Sequence, residues 1–166
     1  VDDPDFVRLM VYLPTREILR GAQGRGVLVF NTELIKTLAV LGGGTFESNS
    51  SEVGGPKSDN GLILLTTLNC SEPSTTAAGV SYQLLGDQRI EGKTSGFYTV
   101  GQAGQNLPST VNTETDGGGA GGFTNVKEGL ALVTAKLNPL NRFISKETGA
   151  PVFVRAGWYT QVYVAP

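Results

Sequence analysis

The stretch TETDGGGAGG, residues 113–122, sets glycines at 117, 119 and 122, the G-x-G-x-x-G spacing that can bring backbone N–H groups against a phosphate. That chemistry needs a strand before the turn and a helix after it, so that free N–H groups and the positive end of the helix dipole meet the pyrophosphate. Neither neighbour fits. The preceding LPSTVNTETD is polar, the following FTNVKEGLALV alternates rather than coils, and Glu114 and Asp116 would repel phosphate. No Gly-Lys-Ser/Thr completes a P-loop. The run is read as a flexible loop, and no cofactor is expected.

Nucleophilic catalysis needs a positioned base, and the chain has no histidine. Ser81, Ser95 and Ser145 read as strand and loop hydroxyls. Cys70 is the only cysteine and follows an apolar run, which suits an inert thiol better than a reactive one. Disulfide frameworks and His/Cys metal cages are thereby excluded. Calcium is the one metal to weigh, through Asp2, Asp3 and Asp5 or through Glu114 and Asp116. Neither group has the spacing of an EF-hand loop, so these are read as solvated turn acids. No catalytic, cofactor or metal residue is assigned, and the chain is not expected to be an enzyme. Two N-x-Ser/Thr sequons occur, at Asn49 and Asn69; Asn49, in an exposed loop, is the better glycan acceptor.

Charged residues make up 17% of the 166, against roughly 25% in ordinary globular chains, and the formal net charge is −2. No basic excess exists to neutralise phosphates, so nucleic-acid binding through this domain is not expected. The apolar runs are far shorter than the roughly 20 residues of a membrane span, so no membrane insertion is expected. The 23 glycines, with many Ser, Thr and Asn, suit strands joined by polar turns.

The positioning elements follow from periodicity. DFVRLMVYLP alternates strictly, with Val7, Leu9, Val11 and Leu13 on one face and Phe6, Arg8, Met10 and Tyr12 on the other. VLVF (27–30) reads as a short strand. In 32–41, Leu34, Ile35, Leu38, Ala39 and Leu41 favour a helix over a strand, with Asn31 able to cap it and Gly42 to end it. LILLTTLNC is apolar at successive positions, which predicts a central strand. GVSYQLLGD (79–87) and RIEGKTSGFYTVG (89–101) predict two more, and 123–137 one or two. NPLNRFISKETG (138–149) carries a short-helix signature in Asn138, Pro139 and Gly149. Residues 43–61 and 102–122 read as long polar loops. PVFVRAGWYTQVYVAP reads as one strand whose core face is Val152, Val154, Ala156, Trp158, Thr160, Val162 and Val164. The expected fold is all-β, a single β-sandwich or jelly-roll domain over 1–166 with one or two short helices.

The second face of that last strand holds Phe153, Arg155, Tyr159 and Tyr163, and the first strand presents Arg8 and Tyr12. Tyr and Arg are enriched at interfaces, so these six are candidate contacts with identical subunits; the chain's own helices are the competing cover. Long loops, few charges and no catalytic groups favour a structural, self-assembling protein. A capsid or virion-surface domain ranks first, with loops 43–61 and 102–122 open to a host receptor, glycan or antibody. A pilus or adhesin subunit at a cell surface is the alternative, and a carbohydrate-binding module the third.

Overall fold

NGLILLTT must lie where both its faces are covered, and the computed structural model places it in a sheet interior. The structure describes residues 9–12, 32–41, 60–69, 75–100, 107–144 and 147–164. In chain order its elements are β1 (Leu9–Tyr12), α1 (Thr32–Leu41), β2 (Asn60–Thr67), β3 (Val80–Leu85), β4 (Ser95–Val100), β5 (Leu107–Ser109), β6 (Ala120–Lys127), β7 (Gly129–Leu137), a 3-10 turn (Asn138–Leu140), β8 (Arg142–Phe143), β9 (Ala150–Val154) and β10 (Tyr159–Val164). One sheet has six strands in the order β1-β10-β2-β6-β4-β5; the other has four, with β7 between β3 on one side and β8 and β9 on the other.

The all-β sandwich is therefore the architecture. Its jelly-roll subtype does not follow, because β1, β10 and β2 run parallel, whereas a jelly roll is built of antiparallel neighbours. β2 is buried from Gly61 to Thr67, flanked by parallel β10 and antiparallel β6.

The register sorts side chains between two cores. Tyr98, Gly121, Leu65, Val162 and Tyr12 form one row across the large sheet, facing the small one. There they join Val80, Tyr82, Leu84, Ala131, Val133, Ala135, Val152 and Val154 in the sandwich core. The opposite row is Phe97, Gly122, Leu64, Gln161 and Val11. That outer face carries a second core of Ile35, Leu62, Leu64, Phe97, Ala120 and Tyr159, with Leu9 packed beside it. Ile35 comes from α1, so the helix favoured at 32–41 is present and covers sheet. The side chains of Leu34, Leu38, Ala39 and Leu41 lie outside the described residues, as do Asn31, Gly42, Cys70 and the strand expected at 27–30.

Further sequence expectations are corrected. The segment 150–164 is two strands in different sheets. β9 ends at Val154, the chain turns through Gly157 at φ 70°, and β10 begins at Tyr159. The turn is closed by Trp158 N–H donating to Arg155 O at 3.1 Å, and Gly157 N–H donates to Asn60 O at 2.9 Å. Among the described residues of 138–149 there is no α-helix: after one 3-10 turn, Asn141 adopts a left-handed conformation and the chain re-enters the sheet as β8. The loop expected at 102–122 contains β5 and runs into β6 at Ala120. Finally, Tyr12 points at the sandwich core and Leu9 at the helix side, the reverse of the faces read from alternation alone.

The glycine run is not a flexible loop. Gly121 and Gly122 lie in β6, buried inside the large sheet. A Cβ on Gly121 would stand 2.7 Å from Phe97 O and 2.8 Å from the Tyr98 ring, and one on Gly122 would overlap Ile63 O. Glycine is needed here because another backbone or ring occupies the side-chain position. The N–H groups a phosphate would need are also engaged: Gly118 N–H donates to Asp116 Oδ1 at 2.8 Å and Gly119 N–H to Asp116 O at 3.0 Å. Further along β6, one extra residue relative to β2 forms a bulge, absorbed by Asn125 at φ 54°.

A tyrosine pair ties the sheets together. Tyr82 and Tyr98 stack with ring centroids 5.8 Å apart, and Tyr98 OH accepts the Tyr82 N–H at 2.9 Å. Tyr82 OH donates to Gly119 O at 3.0 Å and accepts from Thr67 Oγ1 at 2.9 Å. Burial pushes the Tyr82 hydroxyl well above its ordinary value, with the Thr67 hydrogen bond pulling weakly the other way. Tyr159 is raised in the same sense, by burial first and by Tyr163 second.

A tyrosine whose folded pKa is raised keeps its proton in the fold after the unfolded chain has lost it, so its stabilisation is complete below the unfolded value, about 10. Stability is then lost as pH climbs above that value toward the folded pKa. Phenolate absorbance at 295 nm should rise for Tyr82 and Tyr159 only together with loss of circular dichroism. Ionisation of all five tyrosines in an intact fold would contradict this burial.

Candidate interaction surface

The small sheet has one face in the sandwich core and one turned away from it. On β7 the inward residues are Ala131, Val133 and Ala135, and the outward ones Leu130, Leu132, Thr134 and Lys136. Register sets Leu130 opposite Phe153 and Leu132 opposite Pro151 on β9, and Leu85 of β3 opposite Leu132 on the other side. Leu130 is 59% exposed and Phe153 41%; Pro151 is exposed, and Leu85 and Leu132 are half-buried. These five side chains form a contiguous apolar patch on an outer sheet face, the kind of surface that marks a contact site.

The sequence-derived interface residues divide. Phe153 belongs to this patch. Arg155 is exposed at its end, with its guanidinium carbon 4.6 Å from the centre of the Trp158 ring, a cation–π contact. Tyr159 is 1% exposed and packs in the second core, so the chain's own layer covers it and it is not at the surface. Tyr163 is half-buried and its hydroxyl accepts Gln161 Nε2 at 2.8 Å. Tyr12 is half-buried, and its hydroxyl accepts the Phe153 N–H at 3.1 Å. Arg8 and Asn49 lie outside the described residues.

Of the two loops, 43–59 and 102–106 lie outside the described residues, and Asn60–Gly61 belongs to β2. The described part of the second loop is ordered by its own bonds. Ser109 Oγ donates to Asn112 Oδ1 at 2.7 Å, Thr115 is buried, and Val111 stands 86% exposed at the tip.

Sequence reasoning missed Leu130, Leu132, Leu85 and Pro151. The run GLALVTAKL is apolar at both parities, so alternation does not choose which face turns inward. A weak signal was there: the smaller side chains, Ala131 and Ala135, fit the interior against Tyr82 and Phe123, leaving the leucines outside.

The edges of the small sheet are largely used within the chain. At β3, Val80 N–H donates to Thr115 Oγ1 at 3.0 Å and Val80 O accepts Thr115 N–H at 2.9 Å, while Tyr82 N–H is taken by Tyr98. At β9, Pro151 has no N–H to offer, and Tyr12 takes that of Phe153. Such capping blunts pairing with a further strand; on the outer face Leu130 and Phe153 are open to solvent, whereas Thr134 is buried. Among the described residues no group of three His, Cys, Asp or Glu gathers as metal ligands. No family model, curated protein or solved structure matches the chain.

Proposed function

We propose that this chain is a structural, self-assembling subunit, a capsid or virion-surface domain that packs against identical copies through strand faces. The observation that carries the reading is the exposed pairing of Leu130 with Phe153 on a sheet face whose edges are already capped. A face of this kind favours association through side chains over association by strand addition. The pilus alternative, which relies on an exchanged strand, gains less from this geometry. The sugar-binding alternative needs an open aromatic platform, and the only tryptophan, Trp158, has Arg155 stacked over it. In this reading the chain performs no catalysis, needs no cofactor, and works in the virion, with the ordered tip at Val111 available to a receptor or antibody.

Light scattering on a sizing column, applied to the protein isolated from its source, tests the reading. A closed particle or filament is the expected result. A monomer at every concentration overturns it.

A further inference from the structure

The face of the large sheet that carries α1 buries polar groups among its leucines. On β10 that face presents Tyr159, Gln161 and Tyr163, and on β2 it presents Leu62, Leu64 and Thr66. Gln161 is 0% exposed and Thr66 7%. Gln161 Nε2 donates to Tyr163 OH at 2.8 Å, but neither Gln161 Oε1 nor Thr66 Oγ1 has a hydrogen-bond partner among the described residues. A polar atom buried in that way loses its hydration without replacement, which costs more than a typical hydrogen bond gains. Register brings the two oxygens to neighbouring positions. Tyr163 lies opposite Thr66 and Gln161 opposite Leu64, so Thr66 is the diagonal neighbour of Gln161, about 7–8 Å away and within reach of a long side chain. The Gln161 amide bonds to Tyr163, the residue paired with Thr66, and on its other side Thr66 pairs with Ala120, whose side chain is a single methyl.

We infer that Gln161 Oε1 and Thr66 Oγ1 hold one internal water molecule between them. The amide oxygen only accepts, so its partner must donate, whereas the threonine hydroxyl does either. An anion is refused on that ground. A cation buried among Leu62, Leu64 and Tyr159 would need a carboxylate beside it. Glu33, the acid of α1, is exposed and paired with Lys36 at 2.8 Å, and Asp116, ahead of β6, is taken by the Gly118 N–H. Water donates to the amide oxygen and can either accept from the hydroxyl or donate to it, and internal waters make about two to four such bonds. The site lies inside one chain, so it stands apart from the self-assembly reading.

Oxygen-17 relaxation dispersion of the 166-residue chain is the test, because it counts long-lived internal waters without interference from hydroxyl protons. The wild type should show an amplitude larger by one water than Gln161→Met or Thr66→Val, each close in shape to the residue it replaces. Equal amplitudes in wild type and a folded variant overturn the site. If Gln161→Met does not fold, Thr66→Val alone carries the comparison. Thermal melting reads the coupling between the two side chains. Gln161→Met strips the water of one partner and leaves the Thr66 hydroxyl buried; adding Thr66→Val removes that hydroxyl, so the double variant should melt above Gln161→Met alone. A double variant whose melting temperature falls by the sum of the two single shifts overturns the shared water.

Discussion

Gly122→Ala is expected to abolish stable folding. Gly122 sits in β6 between Phe97 of β4 and Leu64 of β2, and the position its Cβ would take overlaps the carbonyl oxygen of Ile63. The obstacle is backbone, held in a strand paired on both sides, so no rotamer change relieves it. Overpacking a core costs about 1–3 kcal/mol when side chains can yield, and more when they cannot. Against a total stability of about 5–15 kcal/mol, a loss above about 3 kcal/mol leaves the chain marginal or unfolded. Gly117→Ala is the control: its Cβ would meet nothing within 4 Å, and its effect should stay within about 0.5 kcal/mol. Urea denaturation followed by circular dichroism reads both. An unchanged midpoint for Gly122→Ala would mean that β2 and β6 do not approach as closely as this register requires.

Tyr159→Ala should cost the monomer about 3–5 kcal/mol, the range for truncating a buried aromatic residue. Its ring is 1% exposed and packs with Leu62, Leu64 and Phe97 beneath Ile35. Phe153→Ala, six positions earlier and 41% exposed, should change monomer stability by less than about 1 kcal/mol and act on association instead. The comparison separates two residues that the sequence places on one strand face. Denaturation midpoints measured at a concentration where the chain is monomeric decide it. Equal midpoints for Tyr159→Ala and wild type would contradict the second core.

Much of the architecture was legible because it depends on local chemistry. LILLTT could be satisfied only with both faces covered, and it became β2 inside the large sheet. Gly86, near the end of the run GVSYQLLGD read as a strand, follows β3 and adopts φ 88°. The helical stripe at 32–41 became α1. The exposed apolar patch was less legible. Of its five apolar residues only Phe153 was singled out, because Leu130 and Leu132 alternate with Ala131 and Val133 and neither parity is polar.

What the sequence determined by itself was the content of strand, the both-face burial of β2 and the lack of a histidine base or a cysteine framework. Only the tertiary structure decided which face of each strand meets which layer. Alternation tells that two faces differ, but the cover over each comes from residues far away in the chain: Tyr159 and Leu9 lie with Ile35, and Tyr12 lies over the sandwich core. The same holds for the glycines at 121 and 122. Their composition signals a loop, yet Ile63, Phe97 and Tyr98, brought in by strand pairing, occupy the space where side chains would stand.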